Sequence, residues 1–193
     1  MLDLEIFGQT LRFETDPSLF SPRGADRGTL AMLSQVAFEP GQRVLDLGCG
    51  WGLVGVYAAK LCGAENVVLC DIDARAAAVA AKNAALNGVG GALVVVSDGF
   101  RQLDETGFDW ILSNPPYHAD FSVAKHFIEK GFNRLKLGGK LVMVTKRRDW
   151  YQNKLTVLFG GARVVEAEDY FVFIAERRGQ HYAGGRIDHA KRP

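Results

Sequence analysis

With 193 residues, 48% of them hydrophobic and 23% charged, the chain can bury one full core, which excludes a disordered or low-complexity protein and makes a single domain over 1–193 the expected unit. A formal net charge of +1 neither demands nor excludes nucleic acid, so any face that binds a polyanion has to be local. Asp3, Glu5, Arg12, Glu14 and Asp16 interrupt the first twenty residues, and no later run approaches the ~18 apolar residues of a membrane span, so a cytoplasmic protein with no membrane partner is expected.

Residues 2–14 alternate apolar and polar through Leu2, Leu4 and Ile6, then Leu11 and Phe13, with Gly8-Gln9 between them. This is the pattern of a small N-terminal β-hairpin, expected as an appendage at a sheet edge. After Asp16-Pro17 the stretch 20–29 is rich in turn formers, and Leu30, Leu33, Val36 and Ala37 then recur at helical spacing, predicting a helix that ends near Pro40-Gly41. From there short apolar runs at 44–47, 67–70, 93–96, 110–112 and 141–144 alternate with amphipathic segments at 53–62, 74–87, 122–135 and 149–159. Strands and helices in this alternation build an α/β fold, a doubly wound and mostly parallel sheet. Asp73 is placed to cap the helix over 74–87, and Asn87-Gly88 to close it. Two further runs, 163–167 and 170–175, are separated only by Glu168-Asp169 and complete a seven-stranded sheet with an antiparallel hairpin at its edge. The stretch 179–193 has three glycines, a proline, several cations and no apolar periodicity, and is expected to be a flexible basic tail. Cys49, Cys62 and Cys70 lack metal-ligand spacing and read as buried thiols with no metal site, while His126, His181 and His189 read as surface residues.

Two stretches carry chemistry. In Arg43-Val-Leu-Asp-Leu-Gly-Cys-Gly-Trp-Gly-Leu53 an apolar run meets Gly48, Gly50 and Gly52 just before an apolar-periodic segment, which reads as strand, tight loop and helix. Glycines there leave the loop without side chains and let a ligand lie against backbone N–H groups at a helix N-terminus. The spacing alone is ambiguous, because Gly50-Trp51-Gly52-Leu53-Val54-Gly55 also satisfies the dinucleotide pattern G-x-G-x-x-G. Asp71, 25 residues beyond Asp46 at the end of the next strand, is placed to accept from both ribose hydroxyls of an adenine nucleotide over the loop. Trp51 reads as a lid over the helix start. The second stretch, Ile111-Leu-Ser-Asn-Pro-Pro-Tyr-His118, closes a later strand.

Asp46–Gly52 followed by Asn114-Pro115-Pro116-Tyr117 resembles the class I S-adenosylmethionine-dependent methyltransferases that methylate a planar nitrogen, enzymes with a Rossmann-like fold. Phe20, Ser21, Asp26, Gly28 and Thr29 are similar to the strip that covers the methionine end of the cofactor in the methyltransferase small domain branch, so the resemblance covers about 18–177 and makes 1–38 a cover for the cofactor. It implies that Gly48, Gly50, Gly52, Asp71, Ile72 and Asn114 bind S-adenosylmethionine without a metal. Asp46 would organise the loop and lie toward the methionine amino group, and Asp98 would accept from the adenine amine. The Asn114 side-chain carbonyl and the Pro115 backbone carbonyl would both accept from the target amine, drawing its nitrogen toward tetrahedral character so that no strong base is needed at the start. Prolines at 115 and 116 fix φ and lack N–H groups, which holds those carbonyls out from the strand end.

Tyr117, with Pro116 beside it, offers a face on which an extruded base stacks. The histidine that follows, His118, resembles the form found in ribosomal RNA guanine-N2 methyltransferases and is a candidate substrate contact. Lys146, Arg147 and Arg148 follow a strand on the same rim, with Trp150 and Tyr151 beside them to stack bases while the cations meet phosphates. The expected function is therefore methyl transfer to an exocyclic amine of an RNA base, foremost guanine-N2 of ribosomal RNA. A protein glutamine, whose amide presents the same planar NH₂, an adenine-N6 in DNA or RNA, and a non-catalytic cofactor-binding subunit are the alternatives.

Overall fold

The computed structural model describes residues 1–116 and 121–184. Seven strands form the main sheet: β3 (Val44–Leu47), β4 (Val67–Asp71), β5 (Leu93–Val96), β6 (Phe108–Ser113), β7 (Leu135–Thr145), β8 (Arg163–Ala167) and β9 (Tyr170–Glu176). Their order is β5-β4-β3-β6-β7-β9-β8; all pairings among the first five are parallel, and β9 runs antiparallel to both β7 and β8. The helices are α1 (Arg27–Leu33), α2 (Leu53–Cys62), α3 (Ala74–Leu86), α4 (Phe121–Arg134) and α5 (Arg148–Phe159). Side chains alternate across the pleat, so the sheet sorts its apolar residues into two cores. One core joins the hairpin, α1, α2 and α3 to one face, and the other joins α4 and α5 to the opposite face.

The crossovers through α2 and α3 cover β3, β4 and β5 on the first face, and α1 packs over β7 and β9. This helix starts at its Asp26 cap, whose carboxylate accepts from Thr29 N, and stops at Ser34, well short of Pro40-Gly41. Ser34 Oγ donates back to the Ala31 carbonyl, a local bond that competes with helix continuation, and Val36 closes a turn onto Leu33. β7 starts six residues earlier than its apolar core 141–144, because Leu135 pairs with Phe108 across a register shift. Asp73 caps α3 and Asn87 ends it, as expected.

The N-terminal hairpin, β1 (Leu2–Ile6) and β2 (Gln9–Phe13), is not an appendage of the sheet edge. It is a separate two-stranded sheet with Ile6, Leu11 and Phe13 buried in the first core. Two asparagines one turn apart on α3 stand in for a neighbouring strand: Asn87 exchanges two bonds with the Arg12 backbone, and Asn83 exchanges two with Glu14. Asn83 Nδ2 also donates to the Trp51 carbonyl at 2.7 Å, tying hairpin, helix and glycine loop at one buried side chain.

The start of the tail is also docked. Ala183 and Gly184 donate to the carbonyls of Leu158 and Val157 on α5, and the Tyr182 ring meets Phe132 edge-on at 4.9 Å. Residues 185–193 lie outside the described residues. All three cysteines are free and buried.

Asn83→Ala deprives three backbone groups, two on Glu14 and one on Trp51, of their partner at once and is expected to destabilise the fold by about 3 kcal/mol. Asn87→Ala, at a half-buried position, should cost less, and urea denaturation of the two variants measures the difference.

Candidate functional site

Strand order reverses direction between β3 and β6, and a crevice opens there at the carboxyl ends of the parallel strands. It holds a cavity of about 330 Å³. Pleat alternation selects its polar lining. In β3, Leu45 and Leu47 join the α4/α5 core, which leaves Asp46 on the opposite face. In β4, Val68 and Cys70 take that same side, placing Asp71 with Asp46, and in β6 Trp110 and Leu112 put Asn114 on the α1 face as well. Asp46, Asp71, Asp98 and Asn114 all line the cavity, with Asp26 and Thr29 from the α1 side.

Gly48, Gly50 and Gly52 have φ of +77°, +54° and +90°, a region closed to other residues without strain. A Cβ at Gly48 or Gly50 would meet nothing within 4 Å, whereas one at Gly52 would crowd Ala80 at 3.0 Å. The first two glycines therefore provide clearance, and the third lets α3 pack against the start of α2. The expectation that the loop offers its N–H groups to a ligand does not hold for these residues. Gly48 and Cys49 donate to the Cys70 carbonyl, Gly50 donates to Asp71 Oδ2 at 2.8 Å, and Gly52 donates to Cys49. Three of these donors hold the loop to β4 and the fourth closes it on itself. Trp51 lines the cavity, its Nε1 donates to the Phe20 carbonyl at 3.0 Å and its ring meets Phe13 edge-on.

The acids differ in setting. Asp46 is 4% exposed, and its Oδ2 receives Gly55 N–H at 2.8 Å. Burial pushes its carboxyl up to about 7, against the pull of that hydrogen bond and with some help from Asp71. Asp71 is half-buried and divides its oxygens between Gly50 N–H and Asp73 N–H. Asp98 is paired with Arg101 at 3.2 Å on the surface side, and Ile72 beside Asp71 is 68% exposed at the cavity mouth. Burial pushes the thiols of Cys62 and Cys70 up to about 11 and about 12, and Cys49 likewise upward, so none is poised as a nucleophile.

Asn114 follows β6 directly, and its Nδ2 donates to Asp26 Oδ2 at 2.9 Å and to Thr29 Oγ1 at 3.0 Å. Pro115 is buried and Pro116 exposed, both at the cavity. Tyr117 and His118 lie outside the described residues. The three cations after β7 are exposed, and each rests on an aromatic ring: Lys146 on Tyr170 at 4.8 Å, Arg147 on Phe121 at 4.9 Å and Arg148 on Phe171 at 5.7 Å. Arg148 is also held by Glu166 at 2.7 Å.

Tyr151 does not join this surface. It is buried and stacked on Phe173, because the first turn of α5 faces it inward, while Trp150 stacks on Phe121 at 4.4 Å. His126 is half-buried rather than fully exposed: its Nε2 is buried against Gly99 without a hydrogen-bond partner among the described residues, and burial lowers its basicity. His181 is exposed, and His189 lies outside the described residues. Sequence reasoning missed Val123 and Phe127, which wall the cavity from α4. Their i,i+4 spacing signals only an apolar helix face, and topology alone turns that face to the site. Among the described residues no cluster of three or more His, Cys, Asp or Glu is arranged to hold a metal ion, and no helix is long and apolar enough to cross a membrane.

The raised Asp46 value makes a pH-dependent contribution to stability. An unfolded aspartate ionises near 3.9 and the folded one near 7, so stability is fully present below about pH 4 and is lost as pH rises to about 7. Asp46→Asn keeps an oxygen for Gly55 N–H and cannot ionise. It is expected to match wild type near pH 4 and to exceed it by up to about 4 kcal/mol above pH 7. Urea denaturation across that range tests the sign.

The methyltransferase small domain family matches residues 10–175. Among curated proteins, the ribosomal RNA small subunit methyltransferases C of Hahella chejuensis and Cronobacter sakazakii are 35% identical over 160 residues and 33% identical over 159. Those alignments take in 81% and 80% of this chain but 46% of each relative, so the chain spans about half the length of the curated relatives it matches. A T. thermophilus 16S rRNA N2 methyltransferase, solved in complex with AdoMet and guanosine, superposes with a TM-score of 0.84 at 28% identity, over 92% of this chain and 50% of that one. Since the matched segment runs from β2 into β9 and takes in both the glycine loop and the Asn114 strand end, the chain belongs to the methyltransferase small domain family, with its Rossmann-like fold.

Proposed function

We propose that this protein is an S-adenosylmethionine-dependent N-methyltransferase acting on an exocyclic amine of an RNA base, foremost guanine-N2 of ribosomal RNA. The observation that carries the reading is the convergence of Asn114-Pro115-Pro116 with the glycine loop and three strand-end acids on one cavity. The cavity suits the cofactor by its chemistry. It is mainly apolar with carboxylates at Asp46, Asp71 and Asp98, and Cβ atoms at Gly48 and Gly50 would project into open space. When bound, S-adenosylmethionine supplies an electrophilic methyl group on a sulfonium.

Asp71, beside the exposed Ile72, would hold the ribose hydroxyls, and Asp98 would accept from the adenine amine. Asp46 would lie toward the methionine ammonium, whose charge would favour the ionised carboxylate. Residues 1–38 form the cover, with Trp51 holding Phe20 over the loop. Asn114 Oδ1 and the Pro115 carbonyl accept the two hydrogens of the target amine and aim its lone pair at the methyl, and the proton released leaves to solvent. Tyr117 stacks the base, flanked by Pro116 and His118. Positioning of this kind supplies on the order of 7–11 kcal/mol of a barrier. Lys146 and Arg147 meet phosphates at the rim, and their aromatic seats hold them ready, whereas Arg148 is tied to Glu166. The names of the relatives and the guanosine in the T. thermophilus complex support RNA and guanine over the alternatives. An enzyme with that substrate works where ribosomes do, in the cytoplasm.

Cell extract incubated with purified protein and isotopically labelled cofactor, then resolved as RNA nucleosides and as peptides, should yield labelled N2-methylguanosine. Label on peptide glutamine instead overturns the RNA assignment. On the true substrate Asn114→Ala is expected to lower turnover by at least about 10²-fold while the dissociation constant for S-adenosylhomocysteine stays within about twofold of wild type.

If RNA phosphates meet Lys146 and Arg147, replacing both by alanine should weaken binding about evenly across sequences and flatten its log–log salt slope by about one unit for each phosphate no longer neutralised. Binding measured across a salt series with an unchanged slope removes them from the RNA face.

A further inference from the structure

A carboxamide has nearly the same shape either way round, yet only one orientation lets it receive an amine's hydrogens. With its NH₂ end turned to the substrate, Asn114 would meet the amine donor to donor. Two contacts that favour one orientation come from residues 88 and 85 positions earlier in the chain: Asp26 Oδ2 at 2.9 Å and Thr29 Oγ1 at 3.0 Å, both receiving from Asn114 Nδ2. Asp26 Oδ2 also receives Thr29 N–H at 2.9 Å and the Thr29 hydroxyl at 3.4 Å. With Thr29 N–H and the Thr29 hydroxyl already directed at it, Asp26 Oδ2 meets Asn114 as an acceptor, and the nitrogen of Asn114 is the end that faces it. With its own proton directed to Asp26, the Thr29 hydroxyl is left to accept.

The pair is itself held. Asp26 is the N-cap of α1, and the Tyr170 hydroxyl lies 3.4 Å from its Oδ1. A Cβ at Gly28 would sit 2.7 Å from the Tyr170 ring and 2.9 Å from Asp26 Oδ2, so this glycine is what allows α1 to approach β9 closely enough. Donation from an amide N–H to a carboxylate also shifts electron density onto the amide oxygen, as hydrogen bonds in series polarise one another away from bulk water.

We propose that Asp26, assisted by Thr29, is a positioning residue for Asn114: it fixes the carboxamide with Oδ1 as the acceptor end and strengthens that oxygen as an acceptor. The assignment rests on the methyl-transfer reading above. It gives the cover segment a part in the chemistry, separate from any hold on the cofactor.

The test separates these roles with variants that keep the helix cap. Asp26→Ser retains a capping oxygen for Thr29 N–H but is too short to reach Asn114, and Asp26→Asn retains an oxygen at the Oδ2 position without the charge. Thr29→Val removes one acceptor, and Thr29→Ser restores it. Asp26→Ser is expected to lower kcat by about 10- to 100-fold with KM and the S-adenosylhomocysteine dissociation constant near wild type. Asp26→Asn should lose less, and Thr29→Ser should recover what Thr29→Val loses. Independently of activity, the Asn114 Nδ2 proton resonances, assigned by their absence in Asn114→Asp, should move upfield in Asp26→Ser and Thr29→Val. Unmoved resonances, wild-type kcat in Asp26→Ser and Thr29→Val, or a loss confined to cofactor binding overturns the proposal. If Asn114→Ala itself turns over normally, it is the methyl-transfer reading that fails, and the resonances still report whether Asp26 orients the amide.

Discussion

In β3, β4 and β6 successive side chains leave the sheet on opposite faces, and the parallel register aligns the three strands so that their carboxyl ends finish together. Asp46, Asp71 and Asn114 thereby emerge on one face at one end. A shift of one residue in any of the three would send its polar group into the α4/α5 core, where Leu45, Cys70 and Ile111 now lie. The apolar alternation that stabilises the sheet therefore also fixes the site, and the loop, the cap of α1 and the hairpin are arranged around positions it has set.

The glycine loop shows how the local conformation serves this frame. Its positive φ angles bend the chain back so that Gly48, Cys49 and Gly50 reach the end of β4, and Asp46 then catches Gly55 N–H inside the first turn of α2. Asp46 sits there with one hydrogen bond and little water, which costs stability whenever it ionises. The fold keeps a carboxylate in that unfavourable place, and a cationic ligand beside it would remove the cost.

Most of this architecture is legible in the sequence because strand and helix periods differ, and the runs at 44–47, 93–96 and 163–167 match strands residue for residue. The acids and Asn114 are legible because their spacing is unusual. The misreadings share a cause. The hairpin is placed by Asn83 and Asn87 reaching a distant backbone, which leaves no periodic trace. Glycine allows both positive φ and exposed N–H groups, and the sequence does not say which is used. Tyr151 follows a cationic run and looks like a surface aromatic, yet the rotation of α5 turns it onto Phe173. Asp26 reads as a helix cap, which it is; its bond to Asn114 depends on a fold that brings the first turn of α1 to the end of β6.

β9 lies between β7 and β8 although it follows both in the chain. Until it is in place, β7 presents an open edge, and α1 lacks both half of the surface it packs on and the ring of Tyr170 beside Asp26. During synthesis the five parallel strands emerge before β9, with the glycine loop among them, while the face beside Asn114 waits for residues 170–176 to leave the ribosome. Assembly of the site is thus tied to completion of the sheet: a nascent or truncated chain that has the loop and the strand-end acids still lacks the wall that sets its amide.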